Sequence, residues 1–504
     1  MLMTAADYRE SLRAYSPRVF VDGDRVERVA DEPRLLPGIN AVGITYDYAH
    51  DAGHKQLLTA IQGSSGKTVS RMLHINEGSQ DLLNKLEAVR LVCKVAGCAQ
   101  RYLSHDALNA IFQATKRTDQ AHETDYNQRF MAYLHEVQIK DLTLGVAMTD
   151  AKGDRSRRPG EQSNSDVYVH IKERRPDGIV IGGTKAIVTG APYMHEFLVM
   201  PCRTHQPEDA DFAVCCAVPV DAEGVTIIAK PAGRPGEPAA KFSGKYGQST
   251  GVVMFDKVFV PHDRVFLAGE TEEGGFMTTS YATHHRHSCI GARAGFGDLL
   301  IGAGTMMAKS NGLDADKHGH IRDALVDLIT ITESFYACGI AASVYCEEDP
   351  AGSVMPDTVY SNIGKLLLAT KIYDMHKLAH YVSGGMVVAL PNPDEDHNPE
   401  TEASLAAVLV GRQEIPVERR KDILRFIEDL TVSNQAGWYS VISLHGGGSP
   451  EAMKREIWRN YPVAEKEDLV TQLLDRGVYN QGQKISKQPG RCCAKGCETP
   501  PKSL

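Results

Sequence analysis

The periodicity of the apolar residues changes twice along this chain, and this limits the possible folds more than any other feature. Up to residue 141 apolar residues recur at helical intervals, for example between Ser79 and Cys98. From 167 to 266 the period is near two, and Gly, Pro or Asp ends each run. After Met277 the helical period returns, in segments that are apolar on more than one face. Strands without intervening helices predict an antiparallel barrel or sandwich and exclude a Rossmann domain.

These changes of period also divide the chain. A length of 504 residues is too great for one simple core, so we predict an α+β protein of several domains. The predicted parts are an N-terminal helical domain at 1–141, a β-barrel domain at 142–276, a helical bundle that mediates oligomerisation at 277–484, and a flexible tail at 485–504.

Composition excludes several classes of function. The net charge of −9 argues against a general nucleic-acid-binding protein. The first residues lack the basic end and apolar core of a signal peptide, and we expect no segment that crosses a membrane. Eleven cysteines in a chain of this length are too sparse for a disulfide scaffold. We therefore predict a protein of the reducing cytoplasm.

Five short motifs occur in an order that identifies a family. They lie at 147–155 (Ala-Met-Thr-Asp-Ala-Lys-Gly-Asp-Arg), 185–190, 255–261, 383–391 and 445–450. With these motifs, the chain from Met3 to about Val463 resembles the family that joins 4-hydroxybutyryl-CoA dehydratase to the two-component 4-hydroxyphenylacetate 3-hydroxylases. The motifs are closer to those of the dehydratase branch. The resemblance implies an acyl-CoA dehydrogenase-like fold and an FAD cofactor.

The resemblance also implies which residues bind the flavin. They are Met148, Thr149, Lys152, Thr189, Gly384 and Gly385. The loop from Met148 to Lys152 would lie along the flavin, with Thr149 bonded to the ring edge and Thr189 reaching the same ring from the next strand. The two glycines would let backbone approach the cofactor from a neighbouring subunit. Because family members assemble as tetramers, we expect a homotetramer.

Two further segments resemble the cluster-binding segments of the dehydratases, which hold a [4Fe–4S] cluster with three cysteines and one histidine. Cys98 and His285 occupy two of the four ligand positions. The family cysteine four residues after Cys98 is Tyr102, and the one seven residues after His285 is Ala292. A phenol and a methyl group do not replace two thiolates, so we predict that no such cluster forms.

One alternative for a metal remains open at this point. Cys93, Cys98, His285 and Cys289 together supply three thiols and an imidazole, a legitimate donor count for iron–sulfur or zinc. Cys93 and Cys98 are five residues apart in a predicted helix, however, so we expect them to point in different directions.

Three residues are predicted to be catalytic. Arg101 would hold an anionic substrate group, Tyr102 would donate a hydrogen bond to the substrate or a flavin peroxide, and His285 would donate a proton. Asp106 is predicted to cap the following helix. The family's glutamate, tyrosine and glutamate at the dehydratase site correspond to Thr250, Cys289 and Ile442 in this chain.

Two functions from different classes follow. The first is a two-component monooxygenase that uses FADH2 from a separate flavin reductase and acts on a small aromatic or anionic substrate. The alternative is an FAD-containing acyl-CoA enzyme, a dehydratase or isomerase without the usual cluster, in which Cys289 or His285 does the proton work. A flavin-binding protein without catalysis is a third possibility. The sequence leaves the substrate and any reductase partner open.

Overall fold

The computed structural model describes residues 2–476, so the predicted tail at 485–504 lies outside the described part. The N-terminal part is mainly helical, and Thr4 caps its first helix as its side chain predicts. Its elements are α1 (Ala5–Ser11), β1 (Val19–Val21), β2 (Asp24–Val26), α2 (Leu36–Asp47), α3 (Lys55–Leu58), β3 (Thr59–Gln62), β4 (Lys67–Ser70), α4 (Ser79–Ala96), α5 (Tyr102–His122) and α6 (Tyr126–Lys140).

The middle part, the β region, consists of strands, and no α-helix lies between residues 144 and 268. Its strands are β5 (Leu144–Ala147), β6 (His170–Arg175), β7 (Gly178–Thr189), β8 (Glu196–Val199), β9 (Val214–Pro219), β10 (Val225–Pro231), β11 (Ser249–Pro261) and β12 (Val265–Ala268). They form one six-stranded sheet, in the order β2-β1-β10-β11-β7-β6, and one four-stranded sheet, in the order β12-β9-β8-β5.

Both sheets are open, and no closed barrel forms among residues 2–476, so the predicted barrel is not confirmed. The strand pairs are antiparallel except β1 with β10 and β5 with β8. The inner faces of the two sheets share one apolar core, which includes Val19, Ile181, Phe197 and Val253. The N-terminal segment is therefore not purely helical, because its first two strands complete the larger sheet.

The C-terminal part is a helical bundle around one long helix. Its elements are α7 (Thr271–Ser310), α8 (Gly319–Val344), β13 (Glu347–Glu348), β14 (Val354–Met355), α9 (Thr358–Ser383), α10 (Met386–Ala389), α11 (Glu402–Val408), α12 (Val417–Thr431), α13 (Asn434–His445), α14 (Pro450–Asn460) and α15 (Val463–Arg476). α7 packs against α4, α5, α8 and α9, so it lies at the junction of both helical parts.

One helix modifies the sequence expectation about membranes. By length and composition alone, α8 is apolar enough to cross a bilayer, with a mean hydropathy of 1.4 over 18 residues. α8 also packs against α4, α7 and α9, and a core helix of a soluble protein passes the same test. This feature is therefore weak evidence for a membrane span.

Candidate functional site

The turn between α4 and α5 brings two thiols and a phenol together. α4 ends at Gly97, which has a φ of 69°, and Gln100 also has a positive φ, of 53°. The chain therefore turns back and brings the thiol of Cys98 close enough to that of Cys93 for each to shift the pKa of the other. The hydroxyl of Tyr102, the first residue of α5, lies 3.3 Å from Cys98 Sγ. The expectation that the two cysteines point in different directions is wrong, because the helix ends before Cys98.

His285 on α7 lies in the middle of a row of hydrogen bonds between α5 and α7. Its Nδ1 is 3.0 Å from Asp106 Oδ2, and its Nε2 is 3.5 Å from Sγ of Cys289, one turn further along α7. The ring of Tyr102 lies nearly parallel to the imidazole, with centroids 6.1 Å apart. Tyr102 and His285, both predicted to be catalytic, thus lie side by side.

Asp106 anchors this row from inside α5 and is completely buried. It accepts a hydrogen bond of 2.6 Å from Ser288 Oγ and lies 3.4 Å from Lys85 Nζ. Burial acts to raise the pKa of Asp106, but Lys85, His105 and His285 outweigh it and hold the pKa well below its usual range. The prediction that Asp106 caps a helix is wrong, because α5 already begins at Tyr102.

The electrostatics of this row favour an ion pair between imidazole and thiol. Burial acts to lower the pKa of His285, but the nearby Cys289 and Asp106 raise it to about 10. Burial acts to raise the pKa of Cys289, but His285, Lys365 and Arg293 lower it overall. Both shifts therefore favour the ion pair, in which the imidazole carries the proton and Cys289 is a thiolate.

Arg101 lies on the other side of the turn and does not face this row. Its buried guanidinium contacts the carboxylate of Asp141, donates to Ser70 Oγ at 3.2 Å, and lies 3.9 Å from the ring centroid of Tyr46. These contacts favour a structural role, and the catalytic role of Arg101 stays a prediction. Burial acts to lower the pKa of Arg101, but Asp141 raises it overall.

Sequence reasoning missed three residues that face the row. Arg293 lies eight residues after His285 on α7. Burial acts to lower the pKa of Arg293, but the nearby Cys98 and Tyr102 raise it overall. Lys365 of α9 and Tyr439 of α13 complete the set, and both are completely buried. Only Arg293 left a signal in the sequence, because it repeats the four-residue spacing of His285 and Cys289.

The predicted flavin loop follows β5. The backbone N–H of Ala186 donates to the carbonyl of Thr149 at 2.8 Å, and Lys185 Nζ lies 2.8 Å from Asp150 Oδ1, so the loop is fastened to β7. Met148 is half-buried, as is Thr149. Lys152 has a φ of 74°, which a non-glycine residue adopts only in a tight turn.

Thr189 at the end of β7 lies next to the Cys98 turn. Thr189 pairs with Thr250 of β11, and a Cβ added to the following Gly190 would lie 2.4 Å from Gln100 Oε1. Gln248 Nε2 also donates to the carbonyl of Cys98, at 2.6 Å. The edge of the larger sheet and the thiol cluster therefore meet.

Gly384 and Gly385 lie elsewhere, at the exposed C-terminal end of α9. Added Cβ atoms would have open space at both glycines, and Gly384 has a φ of 77°. Their approach to a cofactor of a neighbouring subunit stays a prediction.

The residues present fit a flavin better than an iron–sulfur cluster. Thr149 and Thr189 are half-buried, and neither side-chain hydroxyl has a partner within residues 2–476, so both are free to bind a ring edge. Tyr102 hydrogen-bonds to Cys98 at one cluster position, and Ala292 offers no donor at another. In the described part of the chain no group of three or more His, Cys, Asp or Glu is arranged to hold a metal ion, so the rearranged metal site gains no support.

Comparison of the sequence with known proteins supports the family resemblance. Residues 4–267 match the model of the 4-hydroxyphenylacetate 3-hydroxylase N-terminal region, and residues 275–475 match that of its C-terminal region. The 4-hydroxybutyryl-CoA dehydratase/vinylacetyl-CoA-Delta-isomerase of Clostridium aminobutyricum is 35% identical over 93% of this chain and 98% of its own. The 4-hydroxyphenylacetate 3-monooxygenase oxygenase component of Thermus thermophilus is 23% identical over 95% of this chain and 98% of its own.

Solved structures match the same two branches. An oxygen-tolerant archaeal 4-hydroxybutyryl-CoA dehydratase from N. maritimus has a TM-score of 0.91 and 33% identity, covering 99% of this chain and 100% of its own. The oxygenase component HpaB of 4-hydroxyphenylacetate 3-monooxygenase, complexed with FAD, has a TM-score of 0.84 at 20% identity and shares the fold, covering 94% of this chain and 99% of its own. The relatives are enzymes of both kinds, and this chain belongs to the 4-hydroxyphenylacetate 3-hydroxylase family, which also includes 4-hydroxybutyryl-CoA dehydratase.

Proposed function

We propose that this protein is an FAD-dependent enzyme that moves a proton on a small acyl-CoA thioester and so shifts a double bond, without a [4Fe–4S] cluster. The observation that carries this proposal is the position of His285 between Asp106 and Cys289. The relative from Clostridium, a 4-hydroxybutyryl-CoA dehydratase and vinylacetyl-CoA isomerase, supports the substrate class. The acyl-CoA dehydrogenase-like architecture belongs to the same proposal.

The ion pair can perform such a shift with its own two groups. Moving the double bond of a vinylacetyl group removes a proton from the carbon beside the thioester and returns one to the terminal carbon. The Cys289 thiolate would accept the first proton, and the His285 imidazolium would donate the second. Asp106 keeps the imidazole in place and charged, as an orienting carboxylate does in other catalytic rows.

Met148, Thr149 and Thr189 would hold the flavin at the sheet edge, where it meets the Cys98 turn. When bound, FAD supplies a redox-active ring with an electron-poor face. The closed helical interface around His285 excludes water, which strengthens the attraction between imidazolium and thiolate.

Hydrogen exchange tests the proposal directly. The FAD-loaded protein is incubated with vinylacetyl-CoA in deuterated water under nitrogen, and deuterium in the acyl group is measured by mass spectrometry. We expect exchange by the wild type and a loss of about 100-fold or more in Cys289→Ala and His285→Gln, since proton transfer by a positioned group contributes about that factor. Cys338→Ala, on α8 away from the row, is the matched cysteine control. No exchange by the wild type, or equal exchange by Cys289→Ala, would contradict the proposal.

The monooxygenase is the second candidate, and the oxygenase relatives and the FAD complexes of HpaB favour it. In this case a flavin reductase would supply reduced FAD, and Tyr102 and His285 would face the reacting oxygen. Oxygen consumption that requires both added FADH2 and a phenol such as 4-hydroxyphenylacetate would support this reaction. Under nitrogen the oxygenase would give no deuterium exchange, so the two experiments separate the candidates.

We also propose a cytoplasmic homotetramer with the flavin sites between subunits. Large apolar side chains that are exposed on α8 and α9 support an assembly through these helices, namely Val326, Ile329, Ile340, Leu367, Tyr373 and Tyr381. Light scattering of the FAD-loaded protein should give four times the mass of one chain. A monomer would contradict both the tetramer and the predicted role of Gly384 and Gly385.

A further inference from the structure

Three positively charged side chains are buried together between α7, α9 and the end of α13. Arg286, Arg293 and Lys365 are at most 5% exposed. Most buried charges in proteins are paired. Among residues 2–476, however, no carboxylate lies within ion-pair distance of any of these three cations. Glu456 raises the pKa of Arg286 from a greater distance, but burial lowers it overall.

Neutral groups hold these cations in place without neutralising them. Arg293 Nε donates to Ser443 Oγ and Lys365 Nζ donates to the Ser443 carbonyl, both at 2.5 Å. Arg286 Nε donates to the carbonyl of Gly447 at 2.9 Å, and its Nη1 donates to Asn362 Oδ1 at 2.7 Å. The region therefore keeps an excess of positive charge, which nearby thiolates and Glu456, beyond ion-pair distance, offset in part.

Some of the donors in this region have no partner at all. Within the described chain, Arg293 Nη1, the Tyr439 hydroxyl and Trp438 Nε1 are buried and unpaired. Arg293 Cζ lies 5.5 Å from the ring centroid of Tyr439 and 5.9 Å from that of Trp438. The Tyr439 hydroxyl lies beside the Cys98 turn, since a Cβ added to Gly97 would be 1.9 Å from it.

Unpaired buried donors of this kind lower the stability of the fold, and charged donors lower it most. An anionic oxygen would satisfy them through charge-assisted hydrogen bonds and would also balance the excess charge. A carboxylate of the chain would do the same, but the described chain provides none here. The missing acceptor is therefore expected to come from a ligand.

We propose that Arg293 and Tyr439 form a binding site for an anionic oxygen of a small acyl group, either a carboxylate or the enolate oxygen of a thioester. The site deepens the proposed function, on which the identity of the acyl group as a thioester rests. It lies next to the Cys98 turn and to the Cys289–His285 pair. An oxyanion held there would be stabilised as charge develops on the thioester oxygen.

Equilibrium binding tests the site without turnover. Isothermal titration of the FAD-loaded protein compares butyrate, a small carboxylate, with butyramide, a neutral compound of the same shape. We expect butyrate to bind and butyramide to bind at least about 10-fold more weakly, because hydrogen bonds to a charged group contribute about 1.5–3 kcal/mol. Arg293→Gln should weaken butyrate binding by a similar factor, and Arg293→Lys should restore part of it.

Two further variants guard against misfolding and non-specific effects. Tyr439→Phe removes a single hydroxyl that has no partner among the described residues, so it should fold normally and bind butyrate several-fold more weakly. Arg455→Gln, on the exposed face of α14, should bind butyrate as the wild type does. Equal affinity for butyrate and butyramide would overturn the proposal, as would undiminished butyrate binding by Arg293→Gln. Failure of deuterium exchange with intact butyrate binding would overturn the proposed reaction and leave this site standing.

Discussion

Two buried arginines on opposite sides of the turn at residues 97–102 show how differently a buried cation can be satisfied. Arg101 contacts the carboxylate of Asp141 and lies over the ring of Tyr46. Arg293 has no carboxylate partner within the described chain, and its Nη1 has no partner of any kind there. Both guanidinium groups keep one buried nitrogen without a partner in the described chain, Nε in Arg101 and Nη1 in Arg293, so the contrast lies in the carboxylate. A buried charge that is paired with a carboxylate holds a fold together, whereas one without a carboxylate indicates a place for a ligand.

The largest expected effect in this comparison comes from removing Arg101. Arg101→Leu should lower the free energy of unfolding by about 3–5 kcal/mol, because it leaves the Asp141 carboxylate buried without its partner. Urea unfolding followed by circular dichroism measures this change. Arg455→Leu, on an exposed helix face, should stay within about 0.5 kcal/mol of the wild type. A loss below 1 kcal/mol, combined with weaker substrate binding, would restore the catalytic role predicted from the sequence.

On the side of the turn where Arg293 lies, stability should depend on pH through His285 and Cys289. A raised His285 pKa stabilises the fold below its ordinary value of 6.5, and this stabilisation is lost as pH rises through about 10. A lowered Cys289 pKa stabilises the fold above its ordinary value of 9.0, and this stabilisation is lost as pH falls. Because each shift depends on the other, the folded and the unfolded pair both hold one proton between pH 6.5 and 9.

The stability that the pair contributes should therefore be constant between pH 6.5 and 9 and fall by about 1.4 kcal/mol per pH unit beyond either end. The measurement is the difference in free energy of unfolding between the wild type and His285→Gln/Cys289→Ala, which removes the contributions of all other groups. A steady slope across pH 7–9 would show that only one of the two pKa values is shifted, and the ion pair would then be wrong.

Removing Arg293 should cost far less stability than removing Arg101. Arg293→Met removes from the core a charge that no carboxylate pairs, and the Cys98 thiolate can take up a proton in response. We expect the free energy of unfolding to change by no more than about 1 kcal/mol, in either direction, in the same urea experiment. A loss as large as that of Arg101→Leu would mean that Arg293 is a structural residue, and the contrast between the two sides would fail.

The sequence predicted the parts of this site that depend on spacing along one element. His285 and Cys289 are four residues apart, so a helix had to place them on one face, and the structure agrees. The same argument extended by one turn would have found Arg293. Lys365 and Tyr439 come from two other helices, and no local pattern could have brought them to α7.

The prediction from the sequence was wrong where the exact end of a helix decides in which direction side chains point. Cys93 and Cys98 would point apart in one continuous helix, but Gly97 ends the helix and returns the chain. The first turn of α5 then sends Arg101 to Asp141 and Tyr102 to Cys98. In the β region, alternation fixed the strands but not their order, so two open sheets stand where a barrel was expected.

The smallest expected effect concerns the hydrogen bond that fills one cluster position. Tyr102→Phe removes the hydroxyl 3.3 Å from Cys98 Sγ and keeps the ring beside His285, so stability should fall by only about 0.5–1.5 kcal/mol. The pKa of Cys98, which Cys93, Arg293 and Tyr102 lower to about 6, should rise. Thiolate absorbance near 240 nm, titrated against pH, measures this rise. Since Cys289 also absorbs there, Cys98→Ser identifies the signal of Cys98, and an unchanged titration in Tyr102→Phe would mean that the tyrosine does not act on this thiol.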